Sequence, residues 1–478
     1  MKTVRRLALF LAGLLVAGLT VHARAAELPT AFITALDQAG IPLDHVAVMV
    51  QALDDPAPML SHQADAALNP ASVMKLVTSF AALDQLGPTY TWTTALWATG
   101  PIVDGMLDGD LVVQGRGDPS LTLERMWLLQ RELRARGVRH IRGELILDTR
   151  HFEIPPHDPG AFDGEPFAPY NAAPGALVAN FNAIVLRVKP TDEQVLIVPD
   201  IALPGVALVS RVTGSGATEC NGWQDALVPA FPTADRRTLE FTGRYPRNCG
   251  ERALALNLFE PAATFDFIFR GLWAESGGTL AGVTRAGTAP DSTPLVVFES
   301  EPLAQALVRL NKYSSNVMAR NLFLTLGAET LGAPATPEKG ERAVRETLAR
   351  RGVSTRKLVL ENGSGLSRIE RISAQALTEL LHAAHRSPWS AEFEASLPLP
   401  ALDGTLKRRF ADSPAAGRAH LKSGTLRDVS ALAGYVHTLH GTRASVVMLV
   451  NHAHARRSEP AQRALLEWVL ANGSTTKP

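Results

Sequence analysis

An excess of one charge is missing from this sequence: Lys and Arg together number 47, as do Asp and Glu. That balance excludes the basic surplus with which nucleic-acid binders neutralise phosphates. Long apolar runs are missing as well, once the first residues are passed. No later stretch has the 18 or so apolar residues that a membrane span needs, so the mature chain is expected to lack one. An H-E-x-x-H helix is absent, which removes the commonest zinc-peptidase pattern. His452-Ala453-His454 has ligand-like spacing. Without a clear third ligand it reads as a loop after the last strand. No metal and no cofactor is expected. Cysteine is reduced to two residues, Cys220 and Cys249.

What is present begins at the N-terminus. Lys2, Arg5 and Arg6 precede an apolar run from Leu7 to Val21, then Ala23-Arg24-Ala25-Ala26. Basic residues, a short apolar core and a small-residue cleavage site make residues 1–26 a secretory signal peptide. The mature chain is expected to start near Ala26 or Glu27, outside the cytoplasm. In an exported protein an isolated cysteine pair reads as one disulfide, contributing about 3.5 kcal/mol by the entropy of the loop it closes. With 46% hydrophobic and 20% charged residues the chain is an ordinary globular protein. Its length suggests about three domains.

His45 to Gln51 reads as a strand. Asn69-Pro70 then opens a helix to Leu86, stopped by Gly87-Pro88. This helix is apolar nearly all round (Val73, Met74, Leu76, Val77, Phe80, Leu83), so it belongs inside a domain. From about residue 90 to about 290 short alternating runs between Gly, Pro and Asp turns give a β-rich texture. Helical patterns return at Pro302 to Gly327, Pro337 to Arg351 and Ser373 to Ala384. Strands follow around His420 to Lys422, Ala431 to Thr438 and Arg443 to Asn451, then a helix from Pro460 to Ala471. The expected fold is α/β (α+β), a mainly antiparallel sheet flanked by helices and built from residues 27–95 and 290–478. The β-rich insertion at 96–289 would hold a nested small module at about 190–250.

Three short patterns carry chemistry. In Ser72-Val73-Met74-Lys75 the serine and lysine share one helix face. Burial of Lys75 would favour its neutral form and make it a proton acceptor. Ser354-Thr355-Arg356-Lys357 has the same spacing but leads into Leu358-Val359-Leu360, which looks like a strand, and is set aside. In Ser314-Ser315-Asn316 a hydroxyl can relay a proton and an amide can hold a carbonyl; alone, the pattern is a helix cap. Lys422-Ser423-Gly424-Thr425 lies on a strand. Its glycine would admit a substrate backbone and its lysine would attract a carboxylate. Together, in this order, they match the S-x-x-K, S-D-N and K-T-G signature of penicillin-binding proteins and class A β-lactamases.

The chain resembles the D-alanyl-D-alanine carboxypeptidase/endopeptidase family, the class C low-molecular-mass penicillin-binding proteins. The resemblance rests on Pro70-Ala71-Ser72 with Lys75, Asn311-Lys312 with Ser314 and Asn316, Asn362-Gly363-Ser364-Gly365-Leu366-Ser367-Arg368, Asp403-Gly404-Thr405-Leu406 and Lys422-Ser423-Gly424-Thr425. The long insertion after the first motif also fits that family. The resemblance implies a periplasmic hydrolase with a serine β-lactamase-like domain, acting on peptidoglycan stem peptides and acylated by β-lactam antibiotics. It implies Ser72 as nucleophile, Lys75 as base, Ser314 and Asn316 as proton and carbonyl partners, and Lys422 as carboxylate anchor. The oxyanion hole would be the backbone N–H groups of Ser72 and Thr425. Ser423, Gly424, Thr425 and Arg368 would line the substrate. An acidic residue of the insertion, Asp163 or Glu165, would read the diamino acid of the stem. Arg427 replaces a residue that is often uncharged in related chains.

Two other readings compete. A secreted serine β-lactamase would carry a deacylating Glu-x-x-Leu-Asn motif, which is absent from the sequence. A non-catalytic wall-binding protein of the same fold would have no need of the complete set Ser72, Lys75, Ser314, Asn316 and Lys422.

Overall fold

The computed structural model describes residues 27–217 and 219–473. The signal peptide expected at 1–26 lies outside the described residues. Among these, no helix is long and apolar enough to cross a membrane.

Five strands form the central sheet: β1 (Val46–Ala52), β2 (Pro58–His62), β3 (Ala419–Thr425), β4 (Val429–His437) and β5 (Arg443–Asn451). Their spatial order is β2-β1-β5-β4-β3, and every pair is antiparallel. Successive side chains of a strand face opposite ways, and here both sets are apolar. Ala431, Ala433, Tyr435, Val447 and Leu449 pack against helices Lys75–Leu86, Leu303–Lys312 and Ala374–His385. Leu432, Val436, Val446, Met448 and Val450 pack on the other face, against Phe32 and Leu36 of Thr30–Ala39 and Leu465 and Val469 of Glu459–Asn472. The fold is therefore α/β, with an antiparallel sheet covered by helices on both sides, as the sequence led us to expect.

Local details differ from the sequence reading. The helix expected from Pro70 starts as a 3-10 turn, Ala71–Met74, and becomes α-helical at Lys75–Leu86. Ala71 sits at φ 45°, and Asn69 Oδ1 accepts from its N–H at 2.8 Å. Asn69 thus ties a tight turn rather than capping a regular helix. The helix expected over Pro302 to Gly327 is two helices, Leu303–Lys312 and Asn316–Leu331. Ser314 stands at φ 58° in the break, and Ser315 Oγ caps the second helix by accepting from Met318 N–H. The break falls in the polar run from Asn311 to Asn316, which holds no Gly or Pro, and the cap legible in Ser314-Ser315-Asn316 is its one local mark. Leu358-Val359-Leu360 makes only a single bridge, Val359 to Arg371, because Leu358 and Leu360 are drawn into the core without an extended neighbour.

The intervening region is less purely β than its texture suggests. It contains two long helices, Leu123–Ala135 and Pro261–Glu275. The first is capped by Thr122, whose hydroxyl accepts from Arg125 N–H, and it links the parallel strands Leu111–Gly115 and Leu145–Asp148. A crossover of this kind needs a helix. The strand Thr93–Ala98 straddles the boundary expected at 95/96, Val296–Glu299 lies a few residues after the one expected at 289/290, and the two pair with each other. Both belong to a second five-stranded sheet with Leu111–Gly115, Leu145–Asp148 and Thr284–Ala286. Further along, four strands between Ala207 and Pro246 form a small sheet. Cys220 and Cys249 are joined by a disulfide.

Candidate active site

The turn Ala71–Met74 presents Ser72, and the first residue of the following helix is Lys75. Lys75 is completely buried. Its Nζ lies 3.0 Å from Ser72 Oγ and 2.6 Å from Asn316 Oδ1, and it donates to the carbonyl of Ser364. The Asn316 amide is oriented by its other end, since Nδ2 donates to Tyr170 O at 2.9 Å. Two of the three Lys75 partners can only accept. A neutral amine donates two N–H bonds to them and turns its lone pair to the Ser72 hydroxyl proton. Burial pushes the Lys75 pKa well below its ordinary value, and the positive charge of Lys422 pushes it further down. This is the protonation state a general base requires.

Lys422, on β3, is also completely buried. It donates to Ser314 Oγ at 2.8 Å and to Ser423 O at 2.9 Å, and burial brings its pKa down to about 7. Ser423 Oγ meets Thr405 Oγ at 2.9 Å, and Lys312 pairs with Asp403, so the Asp403-Gly404-Thr405 motif braces two of the chemical ones. Gly424 also packs against the turn that carries Ser72. A Cβ there would stand 2.6 Å from Pro70 O and 3.0 Å from Ser72 N. Its lack of a side chain lets β3 lie against the Ala71–Met74 turn. Thr425, next along, is exposed and lines the same cavity as Ser72.

Sequence reasoning singled out no role for Glu370. It is buried, and its Oε1 accepts from the N–H groups of Glu361, Asn362 and Gly363 at 3.0–3.1 Å. Burial raises its pKa, opposed by those three bonds. The clamped loop carries the Ser364 carbonyl to Lys75. Gly365, at φ 81°, lies so close to the Ala71–Met74 turn that a Cβ would overlap Ala71 O. No sequence signal marks Glu370, because one carboxylate following a Gly-Ser loop looks like any surface acid.

A cavity of about 400 Å³ opens over Ser72, Ser314, Asn316 and Thr425. Phe162, Asp163, Tyr170 and Arg368 also line it. Asp163 is exposed there and accepts from Tyr170 Oη at 2.9 Å and Asn171 Nδ2 at 2.8 Å. Glu165 does not line this cavity. The Arg368 guanidinium stacks 4.1 Å over the Phe162 ring. Arg427 joins the rim. The decoy Lys357 is bound to Asp65 at the surface, away from these groups. His452 and His454 have ring centroids 5.1 Å apart. Among the described residues, the group whose ligand atoms converge is instead Glu394, His420 and His437, where Arg443 pairs with the same carboxylate.

The model of the D-Ala-D-Ala carboxypeptidase 3 (S13) family matches residues 31–472. A D-alanyl-D-alanine carboxypeptidase of an Actinomadura species is 33% identical over 403 residues, covering 81% of this chain and 74% of that one. D-alanyl-D-alanine carboxypeptidase DacB of Haemophilus influenzae is 26% identical over 387 residues, covering 80% of each. The crystal structure of penicillin-binding protein 4 from Haemophilus influenzae superposes with a TM-score of 0.76 at 23% identity, covering 93% of this chain and 100% of that one. The fold is thus that of a penicillin-binding protein. With a family model matched from the first helix to the last, and the serine, lysine and asparagine motifs converging on one cavity, the chain belongs to the D-Ala-D-Ala carboxypeptidase 3 (S13) family.

Proposed function

We propose that this chain is a periplasmic serine-type D-alanyl-D-alanine carboxypeptidase/endopeptidase that trims stem peptides and opens peptidoglycan crosslinks through a Ser72 acyl-enzyme. The observation that carries the reading is the buried Lys75 amine, 3.0 Å from Ser72 Oγ and held on its other sides by two obligate acceptors. Ser72 Oγ attacks the carbonyl carbon between two D-alanines while its proton passes to Lys75. The backbone N–H groups of Ser72 and Thr425 receive the developing oxyanion. The C–N bond breaks, and the leaving amine takes a proton relayed through Ser314. Water then attacks the ester, and Ser72 recovers its proton.

Lys422 is shielded from the cavity, so its charge acts on the terminal carboxylate through Ser314, with Ser423 and Thr425 as the nearer contacts. Asn316 holds the substrate amide. Of the two acidic candidates, Asp163 is favoured over Glu165 for the diamino acid, because it lines the same cavity as Ser72. Arg368 borders the stem peptide. Penicillin would acylate the same serine; the Haemophilus influenzae relative has been crystallised with a β-lactam. We take the insertion to begin and end in the paired strands Thr93–Ala98 and Val296–Glu299. The expected signal peptide supports the periplasmic assignment.

The test is intact mass after incubation with a labelled penicillin, alongside D-alanine release from a D-Ala-D-Ala pentapeptide. A stable single adduct and D-alanine release on wild type, both lost in Ser72→Ala, are expected. Rapid penicillin hydrolysis without an adduct would make the protein a β-lactamase. Intact penicillin with no adduct and no release would make it non-catalytic.

A further inference from the structure

A second cavity, of about 480 Å³, adjoins the catalytic one. The two share Phe162, Leu366 and Arg368 in their walls, so the stacked Phe162–Arg368 pair stands between them. Arg320 lines the second cavity and is 7% exposed. Its Nη1 donates to Ala172 O at 2.9 Å, while its Nε is buried without a hydrogen-bond partner. Burial lowers its pKa to about 10, which leaves it charged at neutral pH. The charges of Glu370 and Glu361 act on this guanidinium, but neither carboxylate hydrogen-bonds it, and its unpartnered Nε leaves a cost that a bound ligand would offset. A carboxylate fits the guanidinium fork in two parallel bonds. Asp158 and Glu361 also border the cavity, but both are exposed, and Asp158 Oδ1 already accepts from Gly160 N–H at 2.8 Å. Phe323 and Leu324 supply apolar wall beside Arg320.

We propose that this cavity is a carboxylate subsite, and that the group it takes is the free α-carboxylate of the γ-linked D-glutamate in the stem peptide. The proposal rests on the function given above. With the diamino acid opposite Asp163, the next residue toward the peptide N-terminus must pass the Phe162–Arg368 stack. That residue is the D-glutamate, whose side-chain linkage leaves its α-carboxylate unbonded. The enzyme would therefore distinguish stems bearing this carboxylate from stems in which it is amidated.

Two synthetic pentapeptides, identical except for an α-carboxylate or an α-carboxamide on the D-glutamate, provide the test. Their dissociation constants are measured calorimetrically on Ser72→Ala, which binds without turnover. The carboxylate peptide is expected to bind roughly tenfold or more tightly, as removing a charge-assisted pair predicts. Adding Arg320→Gln should bring that ratio to about one, and Arg320→Lys should keep part of it. Equal affinities on Ser72→Ala would overturn the proposal without need of a second variant. So would a ratio unchanged by Arg320→Gln, or an equal loss for both peptides, which would mark a structural role. The penicillin adduct on wild type reads the proposed reaction separately: a retained ratio without an adduct would sink the reaction and leave the subsite standing.

Discussion

The central sheet pairs strands from opposite ends of the chain: Val46 lies against Val450. The second five-stranded sheet mixes near pairs, as Leu111 with Leu145, with distant ones, as Leu96 with Val296. The first is antiparallel throughout and buried on both faces; the second mixes parallel and antiparallel pairs. The groups that bond Lys75 all belong to the first body. The second reaches the site through the connecting loop that carries Phe162, Asp163 and the Tyr170 carbonyl. Proton transfer needs groups fixed to fractions of an ångström, which packed elements supply. Recognition of varied substrates suits a loop, which can change without disturbing a core. Disruption of the first body should therefore affect chemistry, and disruption of the second should affect stability or selectivity.

The largest effect is expected at Lys75. Lys75→Ala should slow penicillin acylation by roughly 10²–10⁴-fold, the range for loss of a general base. In the proposed mechanism the base is the neutral amine of Lys75, so the acylation rate should climb as pH rises through the lowered Lys75 pKa. It should level off well below the ordinary lysine value of 10.5. A rate still climbing toward that value, or a Lys75→Ala profile with the same rise, would remove Lys75 from this role.

Glu370 gives an intermediate case, chemistry reached through a positioned loop. Glu370→Ala leaves three N–H groups, that of Gly363 buried, without their acceptor and frees the Ser364 carbonyl. Acylation should slow about tenfold, equivalent to about 1.4 kcal/mol. Glu370→Gln keeps the accepting oxygen and should recover most of the rate. If the two variants were equally slow, the carboxylate charge rather than the clamp would be at work.

The smallest effect on catalysis is expected from the disulfide, which lies wholly in the second body. Cys220→Ser with Cys249→Ser opens a link spanning 29 residues. The change should lower stability by about 3.5 kcal/mol in the chain-entropy model. Calorimetry should show an earlier unfolding transition, with penicillin acylation at moderate temperature within about twofold of wild type. A large loss of acylation would mean that the two bodies are more tightly connected than their separate sheets suggest.

Much of the site could be read from the sequence because its members lie in short local patterns. Spacing of three residues on a helix brings Ser72 to Lys75 whatever the rest of the chain does. The buried character of that helix was equally plain from its apolar residues. Ser314 and Lys422 were recognised by type and order, not by any computed proximity. The two helices of the insertion were missed because the surrounding short strands set the texture, although Thr122 and Pro261 are ordinary helix starts.

The sequence by itself determined the short patterns that carry Ser72, Lys75, Ser314, Asn316 and Lys422, the continuous apolar runs of β4 and β5, and the cysteine pair. Only the tertiary structure decided that Lys75 has two obligate acceptors besides the serine, that Glu370 clamps the loop supplying one of them, and that Gly424 is small for the sake of the Ala71–Met74 turn. It also decided that Asp163 rather than Glu165 lines the cavity over Ser72. The reason is range. Helix spacing and alternation act over a few residues, whereas each of these facts depends on atoms from segments separated in sequence, and folding alone fixes their distance.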